Sequence, residues 1–254
     1  IFTKTTQIVA YADDIAIVSR NLPAAKEAFI AIEKESATMG LSVNYNKTKA
    51  MAVSSRNETR RRVGQNLTIG NDNVEVVKNF NYLGSTITDG DDTSAEIGRR
   101  ILLANRASYS NKKALQSSIT SRKTKLLIYK TLIRSVLCYG AEAWRLSRTD
   151  ENRLAVFERR ILRRIFGGVC ENGVWRRRMN HELYHLYADT PVVGFIKARR
   201  LAWAGHVARM SVESTTWKVF TANPDGTRKP GRPRLRWGDG VDNDTRELGV
   251  HNWR

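Results

Sequence analysis

The sequence predicts an α+β fold, in which strands and a helix come first and helices dominate after about residue 95. Residues 7–12 and 15–19 are rich in β-branched and apolar residues and flank two adjacent carboxylates, Asp13 and Asp14, as in a β-hairpin. Beyond residue 94, apolar residues recur every three or four positions, with Lys and Arg on other faces. We therefore predict three regions, at residues 1–94, 95–170 and 171–254.

The predicted elements follow from local patterns. In residues 23–39, Pro23 suits a first helical turn and Gly40 a helix end. Residues 67–69 and 74–77 are predicted strands around a four-residue turn. A helix starting near Thr149 has a cap-like Thr and buries Leu154, Phe157, Ile161 and Ile165. Another, at about 194–210, has Trp203 on its apolar side, where we expect a core residue; contact with nucleic acid is the alternative.

The net charge of +18 is placed unevenly along the 254 residues. Residues 1–94 contain 11 Lys+Arg and 11 Asp+Glu, whereas residues 95–254 contain 32 and 14. A chain with this charge repels itself unless it meets an acidic partner, and nucleic acid is the usual one. The second part is thus the predicted nucleic-acid-binding part.

The cysteines and the hydropathy pattern indicate an intracellular protein. Cys138 and Cys170 are too few for a disulfide framework, which favours a reducing compartment. No run of about 18 apolar residues is long enough to span a membrane. Arginine clusters at 60–62, 176–178 and 228–236 suit nuclear entry and nucleic-acid contacts equally, so we expect the nucleus and cytoplasm.

Asp13 and Asp14 are the candidate metal ligands. Two like charges side by side are costly, and a divalent cation neutralises them; hard oxygen ligands at this density suit Mg²⁺, with Mn²⁺ as the other candidate. A solvated acidic turn is the simpler interpretation of two adjacent aspartates alone, but the flanking strands and the preceding Tyr11 favour a metal site.

Tyr11-Ala12-Asp13-Asp14 resembles the Tyr-x-Asp-Asp motif of reverse transcriptases, and further segments resemble the same family in the same order. Residues 40–44 with Lys47-Thr48-Lys49 resemble the next palm motif, and residues 79–84 resemble the segment that holds the primer terminus. Residues 139–144 and 231–237 resemble C-terminal signatures of endonuclease-reverse transcriptases from non-LTR retrotransposons. The resemblance runs nearly end to end.

The resemblance implies an RNA-directed DNA polymerase that adds deoxynucleotides by two-metal catalysis. Residues 1–94 would be the C-terminal part of the palm, residues 95–170 a helical thumb and residues 171–254 a basic nucleic-acid-binding region. Asp13 and Asp14 would be catalytic and would bind Mg²⁺. The implied partners are an RNA template, a DNA primer or target DNA, and deoxynucleoside triphosphates. The implied substrate- and primer-binding residues are Tyr11, Ala12, Lys47 (with Lys49 as its competitor), Phe80, Tyr82, Leu83 and Gly84.

A third carboxylate usually completes such a site, and the resemblance places it upstream of Ile1. We therefore expect this chain to be the C-terminal fragment of a longer polymerase and to be inactive alone. The alternative is a non-catalytic nucleic-acid-binding module from a decayed or host-adopted element.

Repeated basic helix faces and a proline-interrupted tail predict the nucleic-acid interface. Such faces contact phosphates, which gives affinity and register but little sequence information. The alternative for any one helix is a solvated charged face. The candidate residues are Lys123, Lys130, Arg134, Arg160, Arg164, Arg232, Arg234 and Arg236.

His181-Glu182-Leu183-Tyr184-His185 matches the H-E-x-x-H pattern of zinc metalloproteases, which is a remote alternative function. A third ligand would have to be His206 or Glu213, and three arginines directly before the motif would repel Zn²⁺. Two surface histidines on a short helix are the simpler interpretation.

Overall fold

A computed structural model describes residues 6–54, 63–70, 72–90, 92–222, 231 and 235–250. The chain forms two compact units, Ile1–Asp92 (the N-terminal unit) and Thr93–Arg254 (the C-terminal unit). Both strands and helices are present, with the strands concentrated in the first unit, which confirms the α+β prediction.

In its described residues, the N-terminal unit has three small sheets and one helix. The hairpin β1–β2 is antiparallel, β5 pairs with β3 in parallel and with β4 antiparallel, and β6–β7 is a second hairpin. The elements are β1 Thr6–Tyr11, β2 Asp14–Ser19, α1 Leu22–Thr38, β3 Lys49–Ala50, β4 Asn66–Ile69, β5 Asp72–Val76, β6 Asn79–Tyr82 and β7 Ser85–Thr88.

Local chemistry explains where these elements begin and end. The Asn21 side chain accepts a hydrogen bond from the Ala24 backbone N–H at 2.9 Å and so caps α1, while Gly40 follows the helix with φ 74°. The predicted helix is confirmed. The two predicted strands are also present, but Ile69 pairs directly with Asp72, so their turn is two residues shorter than predicted.

The described part of the C-terminal unit is mainly helical, with one short hairpin. Helix α4 continues through a π-helical turn, Tyr129–Ile133, into α5, and a 3₁₀ turn, Ala141–Ala143, follows. The elements are α2 Thr93–Ser110, α3 Lys112–Gln116, α4 Arg122–Ile128, α5 Arg134–Leu137, α6 Arg148–Phe166, β8 Val169–Glu171, β9 Val174–Arg176, α7 Asn180–Tyr187, α8 Val192–Ala208, α9 Thr215–Thr221 and α10 Trp237–Glu247.

Helix α6 is central to the core of this unit. Its predicted apolar residues are buried, with Leu154 and Phe157 at 0% and 2% exposure. The cap, however, is Ser147 and not Thr149, because the Ser147 Oγ accepts the Asp150 backbone N–H at 3.2 Å. One cluster of 20 buried residues runs from α2 to α8 and so lies on both sides of residue 170. No helix in the described ranges is long and apolar enough to cross a bilayer.

Candidate active site

The two candidate carboxylates lie at the tip of the β1–β2 hairpin. Tyr11 pairs with Asp14, so Ala12 and Asp13 form a two-residue turn. Tyr11, Asp13 and Asp14 are all exposed, and within the described residues no hydrogen bond or ion pair engages either carboxylate. Two adjacent oxygen donors of this kind suit a hard divalent cation. They supply only part of a coordination shell.

Ala12 adopts a left-handed backbone conformation, with φ 53°. Two-residue hairpin turns that need positive φ normally use Gly, Asn or Asp, because a β-carbon is strained there. Strain of this kind persists only where the surrounding structure enforces it, and it concentrates at functional sites.

The predicted primer-holding segment forms a second tight turn, at the tip of β6–β7. Tyr82 pairs with Ser85, and the two residues between them have positive φ, 46° for Leu83 and 77° for Gly84, as in a type I′ turn. Phe80 and Tyr82 are half-buried.

A hydrogen bond joins the two hairpins. The Tyr82 hydroxyl donates to the backbone carbonyl of Asp14 at 3.4 Å. The structure therefore brings one predicted primer residue to one predicted metal ligand, although the two are 68 positions apart in the chain. Strand pairing within each hairpin follows from the local sequence, whereas this link does not.

The two candidate lysines differ in their contacts. Lys49 lies on β3, and its ammonium forms an ion pair with Glu75 at 2.7 Å. Lys47 lies in the preceding loop, where it is exposed and its backbone N–H donates to the Asn44 side chain at 3.1 Å. The ammonium of Lys47 is thus the one available to a ligand, which favours Lys47 over its competitor.

The basic residues predicted to contact nucleic acid fall into two groups. Lys130 forms an ion pair with Asp189, whose carboxyl pKa is lowered mainly by that lysine. Arg134 donates to the Tyr187 hydroxyl at 3.2 Å and lies 4.2 Å from the ring centroid of Phe195. These two cations are engaged within the unit.

Arg164 also has an internal partner, since it donates to Ser108 Oγ at 2.6 Å. Lys123, Arg160 and Arg236 are exposed, and Arg236 directly precedes α10, where its backbone N–H donates to Asp239 at 2.8 Å. Arg232 and Arg234 lie outside the described residues. The interface assignment stays a prediction for all eight residues.

The H-E-x-x-H residues lie on α7, but the glutamate is engaged. Glu182 accepts the Met179 backbone N–H at 2.6 Å and pairs with Arg176, contacts that lower the Glu182 pKa to about 2. Among the described residues no group of three or more His, Cys, Asp or Glu side chains is placed to hold a metal. A glutamate that caps its own helix and pairs with an arginine is a structural residue, which argues against a protease.

Trp203 is more exposed than predicted. It is 40% exposed on α8, and its ring centroid lies 5.3 Å from that of His206. The prediction of a core tryptophan was wrong, because the core-facing positions of this helix include Arg200, which is 3% exposed and paired with Asp244.

Comparison with known proteins finds relatives of the N-terminal unit and of most of the chain. Residues 2–87 match the family model described as reverse transcriptase (RNA-dependent DNA polymerase), a segment that includes Asp13, Asp14, Lys47 and the predicted primer-holding turn. A putative uncharacterized transposon-derived protein of Caenorhabditis elegans is 25% identical over 232 residues, which cover 91% of this chain and 82% of that protein. No solved structure matches. The first third of the chain is therefore similar to a reverse transcriptase domain, and nearly all of it is similar to a transposon-derived protein.

Proposed function

We propose that this chain is the palm and thumb part of a non-LTR retrotransposon reverse transcriptase, an RNA-directed DNA polymerase. The observation that carries the proposal is the adjacent pair Asp13 and Asp14, exposed on a strained hairpin tip inside the segment that matches the reverse transcriptase model. The proposed partners are an RNA template, a DNA primer or target DNA, and deoxynucleoside triphosphates.

In this proposal the hairpin holds both carboxylates toward bound Mg²⁺ or Mn²⁺. Such ions lower the pKa of the primer hydroxyl and stabilise the leaving pyrophosphate. Lys47 brings a positive charge to the triphosphate, and Tyr82 fixes the primer-holding turn against the carbonyl of Asp14. Because two carboxylates alone are an incomplete ligand set, we propose that a third comes from sequence upstream of Ile1.

The test is primer extension on an RNA template with Mg²⁺, using this chain and a version that carries the upstream coding region. We expect synthesis only by the extended protein, and we expect Asp13→Asn to abolish it while RNA binding is retained. Glu35→Gln, on the exposed face of α1, removes the same charge away from the hairpin and serves as the control. If Asp13→Asn removed RNA binding and synthesis equally, the catalytic role would be refuted.

A second candidate is a non-catalytic nucleic-acid-binding module. It is favoured by the C-terminal unit, which has its own large core and holds the whole charge excess of the chain. Salt-sensitive RNA binding without synthesis by either protein would support this candidate. In both proposals the protein acts in the nucleus and cytoplasm.

A further inference from the structure

A pocket in the C-terminal unit is lined by five arginines. It lies between helix α6 and the segment that joins β9 to α7, and its volume is about 470 Å³. The five are Arg159, Arg160, Arg163, Arg177 and Arg178, and no carboxylate is among the lining residues.

The arrangement follows from helical spacing and from a neighbouring ion pair. Positions 159, 160 and 163 share one face of α6 because residues three and four apart are neighbours on a helix. Arg176, the last residue of β9, pairs with both Glu171 and Glu182. The acidic residues that flank the segment are therefore paired outside the pocket, and its arginines have no carboxylate among their fellow lining residues.

Two of these guanidinium groups are incompletely paired. Arg163 donates through Nη2 to Asn180 Oδ1 at 2.7 Å, but the Nε atoms of Arg163 and Arg178 are buried without a partner in the described structure. Buried polar groups in native proteins are almost always hydrogen-bonded. Burial, followed by the charges of Arg177 and Arg159, lowers the pKa of Arg163. An anion in the pocket would relieve the repulsion among these guanidinium groups.

We propose that this arginine pocket binds backbone phosphates of a nucleic-acid strand. Guanidinium forks match phosphate oxygens in bidentate geometry, and the pocket volume lies in the range of sites that hold nucleotide-sized groups. The choice of nucleic acid as the ligand rests on the proposed function. The pocket adds to that function a phosphate-binding site that is far in sequence from the two carboxylates. Contacts to phosphates alone make the site insensitive to base sequence.

The first experiment measures the affinity of the full chain for a fluorescent single-stranded RNA across a range of salt concentrations. The variant is Arg160→Gln with Arg177→Gln, because both side chains are exposed and neither guanidinium has a hydrogen bond or ion pair in the described structure. We expect weaker binding and a salt slope smaller by about 1.4, since each phosphate contact to a single strand contributes about 0.7. Arg122→Gln with Arg148→Gln removes the same charge from exposed positions outside the pocket and should leave the slope unchanged.

A second variant distinguishes specific guanidinium–phosphate contacts from general electrostatic attraction. Arg160→Lys with Arg177→Lys keeps the positive charges but removes the two-pronged guanidinium geometry. We therefore expect weaker RNA binding with nearly the same dependence of affinity on salt. Unchanged affinity would overturn the proposal. So would an equal loss of slope in the pocket variant and in its charge-matched control.

A third measurement distinguishes nucleic acid from a free anion. Pyrophosphate should raise the thermal unfolding midpoint of the wild type and not that of Arg160→Gln with Arg177→Gln. If the glutamine variant lost this effect but bound RNA with unchanged affinity and slope, the pocket would hold a free anion and the proposal would fail. The reverse transcriptase proposal would be untouched by that result, because Asp13→Asn and primer extension test it separately.

Discussion

Among the described residues, the buried core of the N-terminal unit consists of Leu67, Ile69 and Val74, whereas the main core cluster of the C-terminal unit contains 20 buried residues. The β1–β2 hairpin of the N-terminal unit is also poorly packed, since its residues Val9 and Val18 are 52% and 59% exposed. The candidate catalytic carboxylates therefore lie on the poorly packed unit, and the charge excess lies on the well-packed one. This difference indicates that the core of the C-terminal unit is large enough to fix the positions of its basic side chains. The position of the β1–β2 hairpin, in contrast, is stabilised by little buried area.

The hairpin turns of the two units also differ. Ala12 and Leu83, in the N-terminal unit, take positive φ at turns where a side chain is unfavourable. In the C-terminal unit the β8–β9 turn is Asn172-Gly173, the pair that a type I′ turn prefers. At the hairpin turns, local sequence and local structure therefore agree at β8–β9 and conflict at β1–β2 and β6–β7; outside the hairpins, Ala188 at the end of α7 also has a positive φ, 49°. Such conflicts are expected at functional sites.

The largest expected effect is on the core of the C-terminal unit. Phe157→Ala should lower the free energy of unfolding by about 3–5 kcal/mol, because Phe157 is 2% exposed and its removal leaves a cavity. Urea unfolding followed by near-UV circular dichroism measures the change.

Val156→Ala is the control on the same helix. Val156 is 49% exposed, so its truncation should change the free energy of unfolding by no more than about 0.5 kcal/mol. Similar losses for the two variants would mean that α6 is not packed as described, and the contrast between the units would then be lost.

Sequence patterns predicted α1 and α6 well, because the apolar stripe, Pro23 and Gly40 are local signals, although the cap of α6 is Ser147 and not the predicted Thr149. Sequence periodicity could not predict contacts between residues that are far apart in the chain. The buried pair Arg200–Asp244 joins residues 44 positions apart, and the link from Tyr82 to Asp14 spans 68. A lysine or arginine on a polar helix face has the same pattern whether it contacts solvent, phosphate or its own fold. The internal contacts of Lys130 and Arg134 were missed for that reason.

The next effect concerns Glu158, a carboxylate that is 0% exposed in the C-terminal core. It accepts hydrogen bonds from the Tyr129 hydroxyl at 2.8 Å, the Tyr184 hydroxyl at 3.3 Å and the Val192 backbone N–H at 3.0 Å. Glu158→Gln replaces one accepting oxygen with a donor, and it should cost about 1–3 kcal/mol.

The cost of Glu158→Gln should also depend on pH. Burial raises the pKa of Glu158 above its ordinary value of 4.5, although the donors from Val192, Tyr129 and Tyr184 oppose the shift. A raised carboxyl pKa means that the contribution to stability is complete below 4.5 and decreases as pH rises through the folded-state pKa. Since glutamine does not titrate, the deficit of the variant relative to wild type should be larger at pH 4.5 than at pH 7. A deficit that grew with pH would show that the charged form is the one stabilised.

The smallest expected effect compares the two tight turns directly. Leu83→Asn should raise the free energy of unfolding by about 1 kcal/mol, because asparagine tolerates the left-handed conformation that strains leucine. The reciprocal change, Asn172→Leu, puts leucine into the same geometry at β8–β9 and should lower it by a similar amount. Urea unfolding measures both.

Primer extension by the extended protein then tests whether the strained turn at Leu83 has a functional role that the turn at Asn172 lacks. If Leu83 is retained despite its strain because it holds the primer, Leu83→Asn should be more stable and yet slower in synthesis. Asn172→Leu should lose stability without a specific loss of synthesis once the folded fraction is taken into account. Should Leu83→Asn gain stability at full activity, the strain at the β6–β7 turn would have no functional role, and only the strained turn at Ala12 would still support the contrast between the units.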